Sequence, residues 1–379
     1  MQTCQDNFFE TFSSYPQILE THERLSKLSK WQRCKIDSLK VVALESGAPL
    51  SSDLSKFAAG TSTEAVEDTV KNLGLAIWVD GELYPVRDTA YKTLLDRAKI
   101  NGTALPKLSR KVLAEVLNAC LNLFQSDALV LVRDEKVAAV HAGDSVDYSV
   151  LPINELLKTI QTKLDSRFPG NEFDTGYADH SITSGTWKMP GQKEDLLGTY
   201  VKTLKAGGKN WLADKLVPGI RFVTSDTGVA SAKVSALLMG AHTEIHIGGC
   251  IAVDHRHNAT VENFEKALDQ LFAQFGDRIK KLEKLIDIRL DYPVNAMTRI
   301  CKKFSMPKKA AVEAIKMFEM AIGNAPATAH DVFMALQEIM FILRSDNTPE
   351  SKLLEVEENL ARALSIKWSD FDLAKGVEY

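Results

Sequence analysis

Two hydrophobic periods alternate along the chain, one near 3.6 residues and one of 2, and their changes mark the expected elements. Ile18, Leu19, Leu25, Leu28 and Trp31 keep helical spacing, and Val41, Val42 and Leu44 follow a polar stretch before Gly47-Ala48-Pro49 interrupts them. Residues 1–60 therefore read as two helices. Thr61 to Glu64 has the spacing of a capping box, which opens a helix running to Leu73 and stopped by Gly74. Alternation then takes over in 75–79 and 82–86, which flank Asp80-Gly81 as a hairpin. Asp88 precedes a helix over 89–99, and another spans 109–124. A second hairpin joins 128–132 to 137–141 through Arg133-Asp-Glu-Lys136, and 154–164 is helical again.

Residues 165–200 carry Gly, Pro, Asp and Ser at turn frequency, with one strand over 181–188 and a helix over 193–204. The stretch Pro218–His257 reads as β-structure: strands over 220–223, 230–238, 243–247 and 251–253, with turns at Ser225-Asp-Thr-Gly228 and Gly248-Gly249. It also holds four of the eight histidines. From Thr260 onward the period is helical throughout. Val261, Phe264, Leu268, Leu271 and Phe275 form one stripe, and 293–304, 307–322, 329–343 and 349–364 follow as separate helices. The fold class is α+β: antiparallel hairpins or sheet with packed helices, then an all-helical C-terminal region. The expected divisions are an N-terminal helical region 1–74, an α+β core 75–258 and a helical region 259–379.

Composition narrows the class without choosing a function. A hydrophobic content of 45% and a charged content of 25% fit a folded protein, and no apolar run is long enough to span a bilayer. The N-terminal residues lack a basic segment followed by an apolar one. Five scattered cysteines without a CxxC argue for reduced thiols, so a cytoplasmic protein is expected. The net charge of -4 hides an asymmetry, because Tyr200–Ala310 carries 18 Lys and Arg against 11 Asp and Glu. A basic segment within an acidic chain is a footprint of polyanion binding, although helical surfaces are routinely lysine-rich.

Candidate chemistry concentrates in Pro218–His257. In His242-Thr-Glu-Ile-His246, strand alternation puts His242, Glu244 and His246 on one face, with Cys250 and His255 nearby, and these residue types could hold a divalent metal. The spacing is not the helical H-E-x-x-H of metalloproteases. Asp226-Thr-Gly228 appears once, with no second copy to form a carboxylate dyad, and reads as a turn. No phosphate-loop or dinucleotide motif and no nucleophile elbow occurs. Lys205-Ala-Gly-Gly-Lys-Asn-Trp211 joins glycines, cations and an aromatic ring, a combination suited to a nucleic-acid backbone and base, and equally to a helix end and loop. Pro293–Met320 reads as two helices with Arg299, Lys302, Lys303, Lys308 and Lys309 round their joint, which fits a helix-turn-helix reader or a packed pair with a basic rim.

Three runs together resemble the phage/plasmid-like protein family (domain of unknown function 932). They are Arg87-Asp-Thr-Ala-Tyr-Lys-Thr-Leu-Leu to Asn118; Leu131-Val-Arg133 through Val137-Ala-Ala-Val-His141 to Tyr148 and Leu151-Pro-Ile-Asn-Glu-Leu-Leu157; and Phe222-Val-Thr-Ser-Asp-Thr-Gly228, then Cys250, then His255 or His257. Many relatives follow the cysteine with Asn-Gly or Asn-Thr, whereas Ile-Ala-Val follows here. The resemblance implies a cytoplasmic mobile-element protein acting on DNA, and the architecture is similar to single-strand annealing proteins, which need no ATP. The leading expectation is an oligomeric single-stranded DNA binder whose groove uses Lys205, Lys209, Trp211, Lys215, Arg221 and Lys233. The rivals are a metal-dependent enzyme built on His242, Glu244, His246, Cys250 and His255, and a non-enzymatic protein whose partner belongs to a host defence.

Overall fold

The computed structural model describes residues 3–379 apart from 124–125, 145, 241–243, 249 and 324. In chain order the first elements are β1 (Phe9–Phe12), α1 (Tyr15–Lys27), β2 (Ser29–Cys34), β3 (Lys40–Ala43), α2 (Pro49–Ser52) and α3 (Thr63–Lys71). The hairpin β4 (Leu75–Val79) and β5 (Glu82–Pro85) leads to α4 (Asp88–Ala98) and α5 (Arg110–Leu121). Next come β6 (Ala128–Arg133), β7 (Lys136–Ala142), α6 (Ile153–Arg167), β8 (Glu172–Asp179), β9 (Thr183–Lys188), α7 (Lys193–Ala206) and α8 (Asn210–Ala213). The stretch read as β-structure around Pro218–His257 supplies β10 (Val217–Thr224), β11 (Ala232–Met239), β12 (Glu244–His246) and β13 (Ile251–Val253). The rest is α9 (Val261–Lys284), β14 (Arg289–Leu290), α10 (Pro293–Lys303), α11 (Lys308–Ile322), β15 (Ala327–Thr328), α12 (Ala329–Ser345) and α13 (Glu350–Ala363).

The expected α+β class holds, with antiparallel sheets and a mainly helical C-terminal part. The N-terminal helical region 1–74 does not form as expected. Trp31 lies on β2 and Val41–Val42 on β3, because each short apolar run finds a distant partner: β1 pairs β8, β2 pairs β6 and β3 pairs β4. Strand β8, unread in 165–200, pairs β9 on its other side. Tertiary pairing overrides local helical spacing when a run is only four to six residues long.

The central sheet has the order β1-β8-β9-β10-β11-β12, with β13 also on β11. Alternation sends Ile220, Phe222, Val234, Ala236 and Leu238 to one face, where they pack with residues of α6, α7 and α9. The stripe Phe264, Leu268, Leu271 and Phe275 of α9 is buried there as its spacing predicts, behind a capping box formed by Thr260 and Asn263. Phe222 meets Phe264 edge-on at 5.8 Å, so the division at 258/259 runs through one continuous core. Trp187 is fully buried in it and satisfies its indole N–H on Gln161 Oε1 at 2.9 Å.

Of the expected Gly248-Gly249 turn, Gly249 lies outside the described residues, and the strands on either side do not reverse direction. Both β12 and β13 run antiparallel to β11, so they form one edge strand with an interruption between His246 and Ile251. Gly248 has φ +79°, and a Cβ there would stand 3.3 Å from the Ala361 carbonyl of α13. The glycine therefore permits both the kink and the close approach of α13. Two smaller sheets, β2-β6-β7 and β3-β4-β5, carry α4 and α5 and share a second core. No helix among the described residues is long and apolar enough to cross a membrane.

Candidate functional site

In the Ser225-Asp-Thr-Gly228 segment, a plain turn by sequence, Ser225, Asp226 and Thr227 are buried and held from several sides. Ser225 Oγ accepts from the Thr227 and Val229 amides at 3.1 and 3.2 Å. The Asp226 carboxylate pairs with the Arg133 guanidinium, whose Nε donates to Ser29 Oγ at 2.8 Å. Its carbonyl accepts from the Tyr148 hydroxyl at 2.9 Å and faces His141 Nε2 at 2.9 Å. A carbonyl can only accept, so His141 carries its proton on Nε2 and keeps a lone pair on Nδ1. By the same logic His255 donates from Nδ1 to the Ser149 carbonyl at 3.2 Å, leaving Nε2 to accept from Thr224 Oγ1 at 3.4 Å. Residues of β6, β7 and the loop after β7 thus converge on one aspartate, with Ser29 of β2 behind Arg133.

The rings involved are stacked. His141 and Tyr148 lie 3.6 Å apart with planes 5° from parallel, Tyr148 and His255 are 5.5 Å apart at 13°, and Trp31 flanks the first pair. Burial pushes the His141 pKa down to about 4 and lowers that of His255, with the neighbouring Asp226 carboxylate pulling the other way in both. Burial raises the Tyr148 hydroxyl well above its ordinary range. At neutral pH the three rings are uncharged aromatic surfaces.

They form the back of a cleft of about 600 Å3 between α4 and the ends of the central strands. Thr93, Asp96, Arg97 and Lys99 line it from α4 and its C-terminus; Gly228, Ala230 and Ser231 from the β10–β11 loop; and Asp254, His255 and Arg256 from the loop before α9. Arg97 is fixed on the Asp127 carbonyl at 3.2 Å, while Lys99 and Arg256 are exposed. Three cations and the carboxylates of Asp96, Asp147 and Asp254 balance. What the cleft offers is ring surface and local hydrogen bonding more than a net field.

No family model, curated protein or solved structure matches this chain.

The metal-ligand set expected from sequence separates. His242 lies outside the described residues. Glu244 and His246 do share a face, with the carboxylate 3.9 Å from His246 Nε2, and Glu357 of α13 joins them. His255, however, belongs to the ring stack, and Cys250 sits exposed at the strand interruption. The carboxylates at His246 are already neutralised: Arg221 lies 3.3 Å from Glu244 and 2.7 Å from Glu357, and also pairs with Glu350, while Arg344 lies 2.7 Å from Glu244. Burial pushes the His246 pKa down to about 4. A dication would have to displace two guanidinium groups, so these residues do not fit a metal and form a buried ion-pair network instead.

The expected DNA groove separates too. Arg221 is enclosed under α13, and Lys233 pairs with Glu358 on the same helix. Both point to the sheet face opposite α7, whereas Lys205 lies in the last turn of α7 and Lys209, Trp211 and Lys215 follow it. Lys205 holds Asp214 at 2.7 Å and Lys209 holds Asp331 at 2.5 Å; Lys215 and Trp211, which is 70% exposed, stay on the surface. The six residues do not line one groove. The basic joint between α10 and α11 is likewise engaged by the chain's own C-terminal segment, since Arg299 donates to the Lys375 carbonyl at 2.6 Å and Lys303 stands 5.1 Å from the Phe371 ring centroid.

Sequence reasoning passed over Arg133, His141, Tyr148 and Asp226 as a set. The signal that could have found them lies in two of the three runs quoted for the resemblance: the second holds Arg133, His141 and Tyr148, and the third holds Asp226 and His255.

Proposed function

We propose that the protein binds single-stranded DNA without nucleotide hydrolysis, taking an unpaired base into the cleft backed by His141, Tyr148 and His255. The observation that carries this reading is the uncharged ring stack at the back of a nucleotide-sized cleft, with Lys99 and Arg256 exposed at its edge. Stacking on aromatic surface is sequence-tolerant and worth about 1–3 kcal/mol per base, and flanking cations add phosphate contacts. Three further features support it: the antiparallel sheet backed by the 24-residue α9, the lack of a nucleotide-binding motif in the sequence, and the resemblance to phage/plasmid-like proteins.

Fluorescence anisotropy of a labelled 20-mer tests the reading over rising salt. Wild-type protein binds at low salt, and Lys99→Glu with Arg256→Glu weakens binding by at least about tenfold through lost phosphate contacts. Both side chains are exposed, so folding is retained and circular dichroism checks it. Absence of wild-type binding at low salt overturns the proposal.

A further inference from the structure

A second pocket opens where the edge strand beside β11 is interrupted. Its volume is about 480 Å3, and Lys233, Arg278, Lys281 and Arg362 line it against a single carboxylate, Glu358. The four cations come from β11, α9 and α13. Glu358 is paired with Lys233, which leaves Arg278, Lys281 and Arg362 in excess. Arg278 donates to Gln274 Oε1 at 3.0 Å, yet its buried Nε has no partner among the described residues. A guanidinium partly withdrawn from water and short of an acceptor is suited to an anion with several oxygens.

This pocket and the cleft adjoin where β11 begins and β13 ends. Ser231 borders the cleft and Lys233 the pocket; Asp254 borders the cleft and Ala252 the pocket, with Lys233 opposite Ala252 in register. Residues two apart on a strand share a face at a step of about 6.6 Å. The charges lining the cleft balance, whereas those of the pocket do not.

We infer that the phosphodiester backbone of a bound single strand leaves the cleft past Ser231 and Lys233 and is gripped by Arg278, Lys281 and Arg362. The inference rests on the strand-binding reading and names the path the strand takes. Cys250, exposed on the rim of this pocket, reports on it directly.

Two measurements test the path. In wild-type protein, maleimide labelling read by peptide mass spectrometry slows at Cys250 by about tenfold when a saturating 20-mer covers the basic pocket. Labelling of the half-buried Cys120 on α5 stays unchanged as the internal control. In the R278Q/K281Q/R362Q variant, the log–log salt slope for the 20-mer becomes shallower by about 2, three contacts at about 0.7 each. A thymidine dinucleotide, which reaches only the cleft, keeps its affinity. If the wild type binds no oligonucleotide, the strand-binding reading falls and the path with it. If the wild type binds while Cys250 labelling is unchanged, the path is overturned and the reading stands, and this outcome decides even where the triple variant does not fold.

Discussion

Asp226 holds its loop through two chemically different groups, and they should respond differently to substitution. Tyr148→Phe removes one donor to the Asp226 carbonyl while His141 still donates, so the loss should be about 1 kcal/mol. Arg133→Met leaves the Asp226 carboxylate buried without its cation and should cost about 3–5 kcal/mol. Urea midpoints of the two variants check the ratio. The buried histidines set a pH window. Free histidine takes up its proton near 6.5, whereas burial holds His22, His141, His246 and His330 at about 4. Above 6.5 both folded and unfolded forms are neutral and the stability is fully present. Between 6.5 and about 4 the unfolded chain binds protons that the folded chain refuses, so stability falls as the pH falls. Urea midpoints at pH 7 and pH 5 should show that drop, and His141→Gln should reduce it.

Element α13 covers part of the sheet's open face through acids that Arg221 and Lys233 meet from below. Glu350, Glu357 and Glu358 sit on one side of this helix and make the ion pairs that neutralise those two cations. Removing Arg221 leaves three carboxylates packed together, so Arg221→Met should destabilise by about 3–5 kcal/mol. Lys205→Met, at a half-exposed pair with Asp214, should change stability by less than about 0.5 kcal/mol. Chemical denaturation separates the two cases. Alternation correctly placed Glu244 and His246 on one face. It could not show that α13, more than a hundred residues later, would fill the space above them.

Across the whole molecule the two cores are joined by a buried polar seam. Arg87, fully enclosed, donates to the Thr3 and Gln5 carbonyls at 3.2 Å each and faces Asp6 at 3.6 Å, while Lys136 holds Asp6 at 3.0 Å and Asp68 at 2.5 Å. The segment before β1 is thus the counter-charge for the smaller unit, while β1 itself belongs to the central sheet. Asp6→Ala should lower stability by about 3 kcal/mol, the cost of breaking a buried pair. Calorimetry should show the whole chain melting at a lower temperature in one transition, because the walls of the cleft come from both units. A variant that melts in two separate steps, with the larger core unaffected, would show the seam to be local.

Elements that carry their own signals were legible before folding: the 75–86 and 128–141 hairpins, the α9 stripe behind Thr260, and the separate C-terminal helices. Periodicity and capping are local, so those elements are legible in one dimension. Tertiary structure alone decided the fate of the short apolar runs near the N-terminus, because a four-residue run becomes a strand only when a distant edge accepts it. It also decided that Gly248 marks a break within one strand, since direction relative to β11 is not a local property. The residues of Pro218–His257 singled out by their chemistry serve three different places. His246 belongs to the ion-pair network under α13, Cys250 to the basic pocket, and Asp226 with His255 to the ring-backed cleft. Which side chains share a site depends on which strand ends and helices meet, and burial and charge pairing settle that only once the chain has folded.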